Sequence, residues 1–290
     1  MFRINRRTSG ESYDLYKIDK ESKMDILVLM KQVPDTEAPV EIAESKDCLD
    51  TEDLKWAINP YDEFALEEAL RIKESRDDVT VTLITVGPDR VSEIIRVAYA
   101  MGVDNAIHIN DEYDEEKFGA VDAYTTATII TKVLEDTPHD LILCGNRGVD
   151  DDNYQVPAFV AKMRKLPMIN LVTRQKIEGR EIICEQSIDG GSAVVKAKLP
   201  AIITANKGLN EPRYPAFRAI MKAKKKKVDE RDLEDIDLDP EDLGIAGAKV
   251  KIRTLEFPPE RTEGIRIEGA TPVEKAKELV RRLKEEANII

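Results

Sequence analysis

The sequence predicts a doubly wound α/β fold, a mainly parallel sheet with helices on both faces, followed by an extended C-terminal arm and a final helix. Three observations predict it. Nearly continuous apolar runs of strand length recur, as in parallel strands covered on both faces. Longer segments between them carry apolar residues at helical spacing. The two kinds alternate strictly, β-α-β-α-β-α-β-α, from Asp25 to Lys165, which is the pattern of crossover-connected parallel strands.

The elements follow in order. Asp25–Met30, DILVLM, is the first strand. Tyr61–Glu74 is a helix, with Asn59-Pro60 as its start signal. Val79–Thr85 is a strand that Gly87-Pro88 breaks, and Arg90–Met101 is a helix. Asn105–Ile109 is a short strand, Asp122–Leu134 a helix, Asp140–Leu143 a strand ending at Gly145, and Asn153–Lys165 a helix. Beyond Ile169 the pattern turns β-rich. Leu171–Ile177 and Glu181–Ser187 flank the turn Glu178-Gly179, Ala193–Ala197 follows Asp189-Gly190-Gly191, and Pro200–Ala205 is apolar; this block is expected to extend the sheet. Lys222–Lys227 then precedes an acidic stretch, Asp229–Asp242, with nine carboxylates in fourteen residues. No compact unit is legible from Leu243 to Gly269, and Pro272–Ala287 reads as a helix. The expected organisation is an extension over 1–23, an α/β domain over 24–227 and an arm over 228–290 that needs a surface to lie on.

Composition narrows the function. The chain has 290 residues, 42% of them hydrophobic, enough for a sizeable core. Its net charge of -13 argues against nucleic-acid binding, which needs a basic footprint. Cys48, Cys144 and Cys184 form no CxxC pair, so no zinc or iron–sulfur site can be read, and their sparse, odd number fits a reducing compartment. Two histidines, His108 and His139, leave little for a His-based catalytic centre; no catalytic and no metal-binding residue is expected. No apolar run approaches the ~20 residues that span a bilayer. Residues 1–23 are polar and lack the apolar core of a secretory signal. Their basic start hints at a transit peptide, against which stand Glu11, Asp14, Asp19 and Glu21; the segment is expected to be disordered and the chain cytoplasmic.

No GxGxxG and no GxxxxGK[ST] occurs, so a nucleotide would have to be held in another way. The segment Cys144–Pro157 follows a strand and opens a helix, which exposes backbone N–H groups where a phosphate is stabilised without side-chain charge. Read locally, it is first an ordinary loop with Asp150–Asp152 as helix caps. Asn59-Pro60-Tyr61-Asp62 is likewise first a simple N-cap, yet in a doubly wound sheet it could meet the other loop at one edge and frame an adenine pocket. The segment from Gly208 to Lys227 joins an exposed apolar candidate, Phe217, to a basic run. That is either a solvated face or a docking site, in which the anchor fills a pocket and the charges steer encounter.

These residues resemble one family. The carriers are ILVLMKQVPDT (Ile26–Thr36), INPYDEFALEEALRIKE (Ile58–Glu74), RVAYAMGVDNAIHI (Arg96–Ile109) and DLILCGNRGVDDDNYQV (Asp140–Val156). Most specific is the order DGG, LPA, NEPRY, IMKAKKKK within Ile188–Lys227. Over most of Met24–Ile290 the chain resembles the beta subunit of electron transfer flavoproteins. The resemblance implies a flavodoxin-like or adenine-nucleotide-hydrolase-like sheet. It implies a heterodimer with an alpha subunit that holds the redox-active FAD, on which the arm packs, and a structural AMP in this chain. Electrons would pass from acyl-CoA or other flavin dehydrogenases to a quinone oxidoreductase or another acceptor, with no substrate chemistry of the chain's own.

By matched position the AMP site comprises Leu29, Asn59, Tyr61, Asp62 and Val86, with Leu141, Cys144, Gly145, Asp150, Asp151, Asp152, Asn153, Gln155 and Val156. Gln155 and the aspartates stand where phosphate and ribose are held through backbone N–H groups. Thr36 stands where other members place a residue near the flavin, some of them Tyr. The stretch around Asn210–Lys227 resembles the dehydrogenase-docking recognition loop. It comprises Tyr214, Phe217 at an anchor position that is often Leu, and Lys222, Lys224 and Lys225, which resemble lysines methylated elsewhere. An electron-bifurcating branch replaces AMP by a second FAD and reads DGDTAQVGP where this chain reads DDDNYQVPA; Asp151 in place of Gly, together with NEPRY, favours AMP. The rival from another class is a stand-alone nucleotide-binding regulator similar to universal stress proteins, which would share the sheet but lack the arm and the NEPRY–polylysine block. An adenylating enzyme would need the glycine loop that is absent here.

Overall fold

The computed structural model describes residues 23–111, 121–239, 243–259 and 264–290. All of the expected amino-terminal extension except Lys23 lies outside the described residues.

The chain opens with β1 (Met24–Leu29), whose side chains alternate between two cores and are nearly all buried. A two-stranded antiparallel pair, β2 (Gln32–Pro34) and β3 (Trp56–Ile58), follows and brings the chain to α1 (Pro60–Ser75). That helix starts at Pro60 because proline is preset for the first turn and has no N–H to leave unpaired. β4 (Val79–Val86), α2 (Ser92–Met101), β5 (Asn105–Ile109), α3 (Ala123–Val133), β6 (Leu141–Gly145) and α4 (Val156–Arg164) continue the alternation. Gly102 closes α2 at φ 131, a conformation that side-chain-bearing residues rarely adopt.

The chain then runs out along β7 (Met168–Glu178), back and out again through β8 (Glu181–Ile188) and β9 (Gly191–Lys198), and returns as β10 (Ala201–Ala205) between β6 and β7. After α5 (Phe217–Ala223), β11 (Asp229–Arg231) pairs in parallel with β5 at the sheet's other edge. A helical turn α6 (Gly244–Gly247) and α7 (Pro272–Glu285) complete the order.

The nine-stranded sheet runs β11-β5-β4-β1-β6-β10-β7-β8-β9, parallel from β11 to β7 and antiparallel through β8 and β9. This is the doubly wound α/β sheet that the alternation predicted, extended by the β-rich block. Leu66, Leu70, Ile94 and Ile95 of α1 and α2 cover one face; Ile129, Ile130 and Val160 of α3 and α4 cover the other. β1 lies between β4 and β6, so crossovers leave it in opposite directions. The carboxyl ends of β1 and β6 therefore diverge into a crevice, the place where open α/β sheets bind ligands.

Five elements had no expectation: β2, β3, α5, β11 and α6. Each is short, three to seven residues, too little for either periodicity to register. Asp229–Arg231 joins the sheet, and Leu233, Ile236 and Leu243 are buried beside α3, so the acidic start of the expected arm folds onto the domain. Two other helices start later than expected. The chain makes a 3-10 turn over Asp89–Val91 before α2. Asp152 and Tyr154 stand at φ 52 and 58, left-handed values that delay α4 until Val156. Among the described residues no helix is long and apolar enough to cross a membrane.

Candidate nucleotide site at the sheet crevice

The crevice is built around one carboxylate. Asp62 lies in the first turn of α1 and is 5% exposed. Its Oδ2 accepts the Lys31 N–H at 2.8 Å, and its Oδ1 accepts the Gly145 N–H at 2.7 Å. The side chain thereby joins the carboxyl ends of β1 and β6, which part at this point. Burial pushes its pKa up to about 6, against the two N–H groups and the Lys31 charge, which favour the ionised form. Gly145 is required by space: a Cβ there would lie 2.5 Å from Asp62 Oδ1 and 2.7 Å from Tyr61 Cβ.

Asn59 occupies the N-cap position of α1 but makes no cap bond. It is 1% exposed and reaches across the crevice, where Nδ2 donates to the Arg147 carbonyl at 2.8 Å and Oδ1 accepts the Val149 N–H at 3.2 Å. Simple capping is thus replaced by a rivet between the turns at 59–62 and 145–149, and the two turns converge on one edge.

The loop after β6 carries three aspartates in a row, and none of them caps α4. Lys31 Nζ lies 2.7 Å from Asp150 Oδ2 and 3.3 Å from Asp151 Oδ2. Arg147 Nη1 lies 2.9 Å from Asp152 Oδ1 and donates to Tyr154 Oη at 2.7 Å, while its Nη2 donates to Tyr61 Oη at 2.7 Å. The guanidinium also stacks over both rings, 4.9 Å from Tyr61 and 5.3 Å from Tyr154. Asn153 Oδ1 accepts the Gln155 N–H at 3.0 Å, a turn that serves where a cap was expected.

Leu29 and Val86 end two neighbouring strands, Cys144 is the last residue but one of a third, and all three belong to the same core, so they form an apolar wall on the α3–α4 side. Burial pushes the Cys144 thiol far up, which leaves it a neutral wall atom. Val156 and Gln155 begin α4, whose first-turn N–H groups have no partner within the helix. Leu141 does not join this group. It starts β6, four residues and about 13 Å from Gly145, and packs in the α1–α2 core.

Three site residues escaped the sequence reading: Lys31, Asn146 and Arg147. Asn146 is 4% exposed; its Nδ2 donates to Asn206 Oδ1 at 3.1 Å and its buried Oδ1 has no partner. Nothing local marks them, since each acts on residues remote in sequence or only through the loop's folded path.

Thr36 is exposed, two residues past β2. The docking candidates lie elsewhere, on α5 and in the turns on either side of it. Tyr214 is 98% and Phe217 77% exposed, and Lys222, Lys224 and Lys225 are exposed. Arg213 anchors that segment to α1: Nε and Nη2 donate to the buried Glu67 at 2.8 and 2.9 Å, and Nη2 to Glu74 at 3.0 Å. Asn210 Nδ2 adds bonds to the Phe64 carbonyl and to Glu68, both at 2.9 Å.

Comparison with known proteins bears on the family of the chain. The family model described as "Electron transfer flavoprotein domain" matches residues 48–236. The Bacillus subtilis (strain 168) protein named "Electron transfer flavoprotein subunit beta" is 39% identical over 269 residues, 92% of this chain and all of that protein. Proteins of the same name from Megasphaera elsdenii and Homo sapiens are 36% and 34% identical; the alignments cover 83% and 91% of this chain, and 90% and 98% of those proteins. The chain therefore belongs to the electron transfer flavoprotein beta-subunit family.

Proposed function

We propose that this chain is the adenylate-carrying, partner-docking half of a heterodimeric electron carrier. The observation that supports this reading most is the riveting of the turns at 59–62 and 145–149 over the switch point, beside an apolar wall and a helix N-terminus. These features fit AMP. Leu29, Val86 and Cys144 would hold the base, and Asn146 Oδ1 is a buried acceptor lacking the kind of donor that a base or ribose supplies. Asn153, Gln155 and the first-turn N–H groups of α4 would hold ribose and phosphate, with Asp150, Asp151 and Asp152 turned to their cations.

FAD, held chiefly by an alpha subunit and flanked here by Thr36, would supply the reversible redox chemistry. The chain's own residues bind, space and dock. Tyr214, Phe217 and the lysines from 222 onward offer a small apolar anchor ringed by positive charge. That composition suits the short-lived, oriented contacts of electron transfer with an acyl-CoA or other flavin dehydrogenase. The same surface is available to a quinone oxidoreductase. The exposed apolar residues of the arm, Phe257, Ile265, Val273 and Val280, fit an alpha-subunit surface. Co-expression with the alpha subunit tests the proposal: a yellow heterodimer supports it, and a colourless homodimer supports the stand-alone regulator.

A further inference from the structure

Three consecutive aspartates on a phosphate-holding loop are an electrostatic contradiction, because ionised carboxylates repel the ligand that the loop amides would attract. The crevice resolves it with side chains from two places. Arg147, within the loop, engages Asp152, and Lys31, at the end of β1, engages Asp150 and Asp151. Three negative charges are reduced to one.

Resting on the adenylate reading above, we propose that Lys31 is a positioning residue for the nucleotide. It draws Asp150 and Asp151 toward β1 and away from the N-terminus of α4, so that amides rather than carboxylates face the phosphate. Three features support the assignment. The Lys31 backbone is fixed where it must be, its N–H held by the same Asp62 that holds Gly145. The ion pair lies flat on the loop backbone: a Cβ at Gly148 would fall 2.4 Å from Asp150 Oδ1 and 3.2 Å from Lys31 Nζ. Asp151 is oriented further by Asn153, whose N–H and Nδ2 donate to its two oxygens at 3.3 and 2.7 Å. The ammonium stays charged: burial alone would lower its pKa, but Asp150 and Asp151 outweigh burial and raise it.

The test uses the heterodimer with its alpha subunit and compares wild type with Lys31→Gln, Lys31→Arg and the double variant Lys31→Gln/Asp150→Asn. Adenylate per flavin and the rate of adenylate loss on dialysis are measured, with flavin content as the control for assembly. Lys31→Gln is expected to lose adenylate about ten- to a hundredfold faster at unchanged flavin content, the scale of one charge-assisted interaction. Lys31→Arg should retain most of the adenylate, and Asp150→Asn in the double variant should return the rate to near wild type by restoring the charge balance. Wild-type retention in Lys31→Gln overturns the proposal, as does a double variant that loses adenylate like the single one. Should Lys31→Gln fail to assemble, the double variant decides: retention supports the proposal and failure overturns it. A wild-type heterodimer that releases no adenylate at all refutes the underlying reading instead.

Discussion

Asp62 concentrates the energetics of the crevice in one side chain. Each carboxylate oxygen accepts one backbone N–H, from Lys31 and from Gly145, so an amide cannot replace it. Asp62→Asn turns an NH2 toward one of the two buried donors and is expected to cost about 1–3 kcal/mol, read as a lowered denaturation midpoint at pH 7. The pH dependence has a definite sign. Burial pushes the carboxyl from its ordinary 3.8 up to about 6 in the fold, so the native state binds the extra proton between these values. Its contribution to stability is largest below pH ~4 and declines as pH rises through ~6, by on the order of 3 kcal/mol. The stability difference between wild type and Asp62→Asn should therefore grow on acidification from pH 7 to pH 4; a difference independent of pH would contradict the assignment. Asp62 and Asn59 were legible in the sequence as members of a matched motif, while their local chemistry misled. Asn59 before a proline-led helix looks like a cap, and only the convergence of two loops 88 residues apart makes it a rivet. Lys31 and Arg147 were illegible for the same reason.

At the scale of elements, α1 serves both the candidate nucleotide site and the candidate docking segment. Its first turn closes the crevice, and Glu67, Glu68 and Glu74 along its length hold the segment that presents Tyr214 and Phe217. Phe217→Ala is expected to slow reduction by the dehydrogenase while leaving heterodimer and flavin content intact, because the ring is exposed and supports no core contact. Loss of flavin in that variant would refute the separation of roles. Arg213→Ala leaves the buried Glu67 carboxylate without its cation. It should lower stability by about 1–3 kcal/mol and expose the 208–227 segment to proteolysis before the rest of the domain. Equal cleavage in wild type would show that the clamp does not order the segment. The long elements of the sheet were readable because their periodicity runs for five residues or more, as in β1, β4 and α1. α5 was hidden in a seven-residue stretch whose only buried residue is Ala223.

The whole molecule is a covered sheet with an uncovered tail. Asp122 caps α3 through the Thr125 N–H at 2.8 Å and holds the N–H groups of Lys249 and Val250 at 2.7 and 3.0 Å; Leu255 donates to the Lys46 carbonyl at 2.6 Å. Beyond these ties α7 buries none of its residues, and a fourteen-residue helix is marginal in water without a surface to pack on. Truncation after Leu255 is therefore expected to leave the sheet folded, by circular dichroism, and to abolish co-purification with the alpha subunit; a truncated chain that still assembles would place the main interface elsewhere. The sequence led us to expect an arm over 228–290 without a core of its own, yet Leu233, Ile236 and Leu243 pack into the sheet's core, spaced too sparsely among carboxylates to announce that contact. Central to the account is an adenylate enclosed by the turns near Asn59 and Asp150, with redox chemistry left to a flavin held by the companion subunit. The most direct measurement is to denature the purified heterodimer and quantify the nucleotides it releases. The account predicts AMP and FAD in equal amounts; two FAD with no AMP, or flavin with no second nucleotide, would contradict it.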